Sequence, residues 1–241
     1  MRYFLIALLV VFASCKITTD KKPVPADPVT AAITSLKDTA IQGDLIVRLG
    51  DDFMSNQIKN MNETHRDYSH AGLIIIKNNE KYVAEIAPAP AGQDIIRYTP
   101  IDSFLNPKYN VTTALYRYNL LPQQRAALAD TIKNYALRNI RFDSVYSIHN
   151  DKLYCSEMIA KALEAATADK IKIKLSKAPK HMIKLLVKFF EPVGLSKEDI
   201  IKRDMIAIDN LYLRNDCKLL MRIKLKTFPG EENKPVITYN N

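Results

Sequence analysis

The run Tyr68-Ser-His-Ala-Gly-Leu-Ile-Ile-Ile76 limits what this chain can fold into more than any other stretch. Its apolar residues follow one another without helical spacing and are rich in β-branched types, which suits a buried strand entered at His70. Asn78-Asn79 then supplies a turn, and Lys81-Tyr-Val-Ala-Glu-Ile-Ala87 returns as the antiparallel partner. A hairpin this apolar needs cover on its faces. Further strands are expected at Gly43–Leu49, Asp94–Tyr98 and Val111–Tyr118, and late strands or peripheral elements at Asp204–Leu213 and Lys218–Lys226. Asp51–Asn62 reads as a short polar helix or loop. Helices are expected at Val29–Ile41, at Pro122–Arg138 with proline in the first turn, and as an amphipathic segment at Ala178–Phe190. Ser196-Lys-Glu-Asp199 has the form of a capping box. With 241 residues, 47% hydrophobic and 25% charged, the chain can bury one substantial core.

Chemistry concentrates in Asp151-Lys-Leu-Tyr-Cys-Ser-Glu-Met-Ile-Ala-Lys-Ala-Leu-Glu-Ala165. Met158, Ile159, Ala162, Leu163 and Ala166 recur at helical spacing, so Cys155 stands at or near a helix N-terminus. Unpaired backbone N–H groups and the positive end of the helix dipole favour a thiolate there and could receive an oxyanion. A lone cysteine is more often a small buried hydrophobe, so the reading depends on finding a base and a group to orient it. Cys155–Cys217 pairing, which is possible on paper, would remove the nucleophile.

Four histidines exist, His65, His70, His149 and His181. His70 begins a buried strand, where a side chain is held firmly yet can reach a cleft. His149 lies in a polar, flexible setting, and His65 and His181 fall in charged contexts that suit solvated side chains. A base histidine needs an acceptor on its second ring nitrogen. Glu85 in the hairpin partner is the candidate, flanked by Val83-Ala84 and Ile86-Ala87. Alternation alone allows it to face solvent on an edge strand or to turn inward toward a partner.

Metal chemistry finds no support, since HExxH, paired CxxC and clustered His/Asp ligands are missing. No glycine-rich phosphate loop appears either, and no cofactor is expected. The net charge of +9 favours anionic surfaces, but the lysines lack the interleaved aromatics of a nucleic-acid surface, so no nucleic acid is expected.

At the N-terminus, Met1–Ser14 has a basic start and an apolar run too short to span a bilayer, as in an export signal. Phe12-Ala-Ser-Cys15 resembles the lipobox of bacterial lipoproteins, which implies cleavage before Cys15 and acylation of its thiol. Residues 15–35 are then a lipid-anchored tether, and the protein is expected at the bacterial cell envelope, held to the membrane through Cys15.

Tyr68-Ser-His-Ala-Gly-Leu-Ile, Val83-Ala-Glu-Ile, Phe142-Asp143 and Tyr154-Cys-Ser-Glu-Met together resemble the permuted papain-like amidases of the YaeF/YiiX type, among the NlpC-type cysteine hydrolases. The resemblance runs from about Gly43 to Ala168. It implies an α+β fold in which a small antiparallel barrel or sheet packs on the cysteine-bearing helix. In this family the histidine-bearing strands precede that helix in the chain. Residues 36–190 would be the catalytic domain and 191–241 an extension packed on it. The resemblance implies Cys155 as nucleophile, His70 as base and Glu85 as the orienting group. Tyr154 would shape the cleft, and Ser69 beside the histidine is expected to touch substrate. Phe142 stands where the family has tyrosine. Location and resemblance point to amide bonds of cell-wall peptides. Lecithin:retinol acyltransferase-like proteins share the permuted order and make a lipid ester the rival substrate. A surface lipoprotein that only binds is a third reading.

Overall fold

The computed structural model describes residues 27–90, 92–226 and the backbone of 237–238. The expected export signal, the lipidation site Cys15 and most of the expected loose tail from Pro229 lie outside the described residues.

Helix α1 (Pro28–Thr39) begins where the Asp27 carboxylate accepts from Thr30 N–H at 3.1 Å. It buries Ala32 and Leu36, so folded structure starts ahead of the tether's expected end at residue 35. Strand β1 (Leu45–Gly50) and helix α2 (Phe53–Ile58) follow. The hairpin forms as β2 (His70–Lys77) and β3 (Glu80–Glu85). Asn78 and Asn79 turn it with φ of 50° and 62°, left-handed values that asparagine tolerates and a two-residue hairpin requires.

Next come β4 (Arg97–Pro100), α3 (Ile101–Phe104), β5 (Asn110–Tyr118), α4 (Pro122–Leu137) and α5 (Cys155–Thr167). The remainder is β6 (Ser176–Lys177), α6 (Ile183–Phe190), α7 (Lys197–Lys202), β7 (Asp204–Met205), α8 (Asp209–Tyr212), β8 (Cys217–Lys224) and β9 (Ile237–Thr238).

The antiparallel sheet runs β4-β3-β2-β1-β5-β8-β9, with β6 and β7 paired apart from it. No pairing of β4 with β9 closes it among the described residues. The architecture is therefore α+β, with helices on an antiparallel sheet. Leu45 and Val47 face one side and Ile46 the other, and all are fully buried, as the central position of β1 demands. On the first side α4 and α5 cover the sheet, where Met158, Ile159 and Leu163 of α5 are fully buried. Each such side chain contributes about 1.5–3 kcal/mol. On the second side α1 and α3 pack over Ile74, Val83 and Leu115. A third cluster joins Met182, Leu186 and Phe190 to Ile200 of α7, whose start is capped by reciprocal bonds between Ser196 and Asp199.

Two expectations change and a third is refined. The strand expected at Asp94–Tyr98 begins only at Arg97, because Asp94 is held by Arg141 at 2.5 Å and Ile95 makes a single bridge to Arg141. The helix expected from Ala178 becomes regular only at Ile183: Pro179 is extended and disfavours a helical Ala178 before it, and residues 180–182 form a single tighter turn. The late strand or peripheral element expected at Asp204–Leu213 is a two-residue strand followed by α8. The segment after residue 190 also enters the sheet: β8 pairs with β5 along its length and lies between β5 and β9.

Candidate active site

Cys155 is the first residue of α5, so its own N–H and those of Ser156 and Glu157 have no partner inside the helix. Glu157 helps to set this end, its carboxylate accepting from Tyr154 N–H at 3.4 Å and pairing with Lys161 at 2.7 Å. The neighbours of Cys155 both grip the backbone of one residue: Tyr154 Oη accepts from Ile206 N–H, and Ser156 Oγ donates to Ile206 C=O, each at 2.7 Å. The nucleophile candidate is thus pinned between two side chains anchored in the stretch just before α8.

His70 opens β2, opposite Arg48 of β1. Its Nε2 lies 2.6 Å from Glu85 Oε2, and the Cys155 thiol lies close enough to the ring for each to favour the other's charged form. Glu85 turns inward and is 3% exposed, which settles its two possible orientations. Its other oxygen accepts from Thr99 Oγ1 and from Arg97 Nε at 3.2 Å, both on β4. Sequence reasoning missed these two residues, although the alternation of Arg97 and Thr99 beside an apolar-flanked carboxylate was the available signal. The hairpin is tight here: a Cβ on Gly72 would stand 2.3 Å from Val83 Cγ1 and 2.9 Å from the Ala84 carbonyl oxygen.

The charges are mutually supporting. Burial works against a Cys155 thiolate, but the His70 ring and the N–H groups of Ala71 and Ser156 outweigh it and hold its pKa below the ordinary thiol value. Burial also works against an imidazolium, yet bonds to Cys155 and Glu85 carry His70 above its ordinary value. Burial would raise the Glu85 carboxyl, whereas His70, Thr99 and Arg97 keep it far below the usual carboxylate range. The half-buried Arg48 guanidinium, over the Phe104 ring at 4.8 Å and bonded to Asn110 at 2.7 Å, adds positive charge beside them. Cys217 is also buried and unpaired, so no disulfide consumes Cys155. Burial pushes the Cys217 thiol well up, the reverse of Cys155.

Cys155 sits in the wall of an open-mouthed groove. Helix α2 lends Phe53, Met54 and Ile58 to it, and Met182, Leu185, Leu186 and Phe189 come from in and around α6. Tyr154 lines it, together with Tyr146, which the sequence did not single out. Tyr146 is held at φ 52°, with its ring against Phe142, Tyr154 and Phe190. The Asp143 carboxylate supports this loop by accepting from Val145 and Ser147 N–H. Such a backbone value in a bulky residue persists only when its surroundings over-determine it. Ser69 differs from expectation: its hydroxyl is buried, accepts from Gly50 N–H at 3.2 Å and does not line the groove. His65, His149 and His181 are exposed and take no part.

The lead-in to His70 is tied to α8. Asp209 accepts from the N–H groups of Glu63, Thr64 and His65 at 3.2, 2.6 and 3.1 Å. Asn62 accepts from Ile208 N–H at 3.0 Å and donates to Tyr68 C=O at 2.9 Å.

Residues 39–185 match the family described as permuted papain-like amidase enzyme, YaeF/YiiX, C92 family. The chain belongs to that family. The uncharacterized protein YiiX of Escherichia coli strain K12 is 31% identical over 126 residues, which span 52% of this chain and 57% of that protein. The crystal structure of the metalloprotein YiiX from Escherichia coli O157:H7 shares the fold, with a TM-score of 0.60 at 22% identity over 74% of this chain and 95% of that one. Among the described residues no group of three or more His, Cys, Asp and Glu side chains could hold a metal ion.

Proposed function

We propose that this permuted papain-like amidase is a cysteine hydrolase acting through Cys155, His70 and Glu85. The observation that carries the reading is His70, whose Nε2 meets a buried carboxylate while its ring stands beside the Cys155 thiol, itself in the wall of an open groove. The thiolate attacks the carbonyl carbon while the negative charge moves to oxygen, within reach of the N–H groups at the start of α5. Imidazolium then gives its proton to the leaving group and a thioester remains. Water, deprotonated by His70, cleaves the thioester and restores the thiol. Glu85 holds the ring in one orientation throughout.

The groove favours an apolar acyl chain over a cell-wall peptide as the part of the substrate held beside the thiol. Its walls are mainly Met, Leu, Ile and Phe side chains, and a charged stem peptide would lose hydration there without finding partners. The bond most in keeping with the family is an amide, so the substrate class is a long-chain N-acyl amide, with a phospholipid ester as the near variant. Export and acylation at Cys15 would place the enzyme at the envelope membrane, where such chains are found.

The test is to incubate the protein separately with an N-palmitoyl amino acid, phospholipid vesicles and muropeptides. Intact mass should show a palmitoyl adduct on Cys155 with the first and no consumption of the third. Consumption of muropeptides alone would restore the cell-wall substrate. Iodoacetamide labelling of Cys155 no faster than that of Cys217 would leave only a binding module.

A further inference from the structure

The mouth of the groove carries a feature that catalysis does not use. Phe53 and Met54 on α2 and Leu185 and Phe189 on α6 stand on its two sides, with Phe53 71% and Phe189 48% exposed. Soluble surfaces rarely gather large apolar side chains in this way without something to cover them. Lys180, Lys184 and Lys188 lie beside them, exposed and without an ion pair among the described residues. Residues 180–190 contain no acid, and Glu191 follows the end of α6. The acids near α2 are occupied: Asp52 accepts from Ser55 N–H at 2.9 Å, and Asp51 pairs with Lys226.

From this arrangement we infer that the α2–α6 rim docks on an anionic lipid bilayer, with Phe53 and Phe189 entering the headgroup–acyl boundary and the three lysines meeting lipid phosphates. Exposed aromatic and aliphatic side chains flanked by unpaired lysines have the chemistry of an interfacial surface. A protein partner would supply acids to meet the lysines, but the apolar mouth leading directly to Cys155 fits a surface from which a chain can slide inward. The inference deepens the acyl-chain reading above, yet the docking itself needs no catalysis.

Every buried core residue among those described lies between Ala32 and Leu225, so a chain begun at residue 16 keeps the core and lacks both the apolar leader and Cys15. That protein should sediment with vesicles of phosphatidylglycerol and phosphatidylcholine, and much less with phosphatidylcholine alone. The pair Phe53→Ser and Phe189→Ser should weaken binding at least tenfold. The pair Lys184→Gln and Lys188→Gln should weaken it roughly tenfold at low salt and flatten its salt dependence. Both variant pairs change exposed positions, and circular dichroism checks that they remain folded. Cys155→Ser should bind as the parent does, so loss of the thioester reading would leave this result standing. Absence of sedimentation, or equal sedimentation of the rim variants, overturns the proposal. So does a dimer in ultracentrifugation that the rim substitutions dissolve, since a second copy would then be what covers the face.

Discussion

Cys155 and Cys217 are both buried thiols in one chain, yet their surroundings drive them in opposite directions. What separates them is the imidazole. Alkylation follows the thiolate, so the Cys155 rate should reach its plateau below the ordinary thiol range near ~8.5. In His70→Ala burial is no longer opposed by the ring, the acid limb moves upward, and labelling at pH 7 should fall roughly a hundredfold. A midpoint unmoved by the substitution would show that the helix N-terminus, and not His70, activates the thiol. Glu85→Gln tests the carboxylate that the ring meets. It leaves Arg97, Thr99 and His70 without their carboxylate and should cost about 1–3 kcal/mol at pH 7. The sign with pH is set by the depressed folded value. The carboxylate's contribution is present above the unfolded value near ~4.3 and is lost as pH falls toward the folded one. For His70, raised when folded, the contribution is complete below ~6.5 and lost as pH rises through the folded value. Melting temperatures of parent and Glu85→Gln should therefore differ most between these two limits and converge toward low pH; a constant difference across the range would rule out the ion pair as its source.

Between elements, the hairpin and the cysteine helix were legible because each carries a periodic pattern of its own. Strand β2 and the Asn78-Asn79 turn announce the hairpin, and the apolar stripe of α5 places Cys155 at its start. The order His, Glu, Cys made the constellation readable across long separations. Links made by polar side chains to distant backbone were not readable, because Asn62 and Asp209 have no local signature: their partners are 146 and 144–147 residues away. Ser69 shows the same limit from the other side, since adjacency to His70 in the chain says nothing about which way a hydroxyl points. The Asp209 contacts have a measurable weight. Asp209→Asn removes charge from an acceptor of three buried or half-buried N–H bonds and should cost about 1–3 kcal/mol, lowering the melting temperature by roughly 2–4 °C per kcal/mol. Because the loop held by Asp209 runs into His70, iodoacetamide labelling of Cys155 should slow as well. An unchanged melting temperature would mean that these bonds contribute nothing net to holding the lead-in.

At the scale of the whole molecule, the family match ends at residue 185 while the fold does not. Strand β8 pairs with β5 over its length, and Met221 and Ile223 are buried beneath α1. Ile206, Ile208 and Leu211 complete the core around α5, and Ile206 is the residue whose backbone both neighbours of Cys155 hold. The C-terminal region reads from sequence as an addition because its lysines interrupt the apolar pattern. On β8 Lys218 is exposed, whereas Met221 and Ile223 are buried between more accessible neighbours. Removing residues 204–241 would expose one edge of β5, open the second face of the sheet and uncover the start of α5. Such a chain should not form a cooperatively melting protein, even though it retains Cys155, His70 and Glu85 and the entire matched stretch. Thermal unfolding followed by circular dichroism, with dye binding to exposed apolar surface, checks this directly. A sharp transition in the shortened chain, together with Cys155 labelling at the parent's rate, would show that the catalytic unit ends where the family match does and that β8 is dispensable.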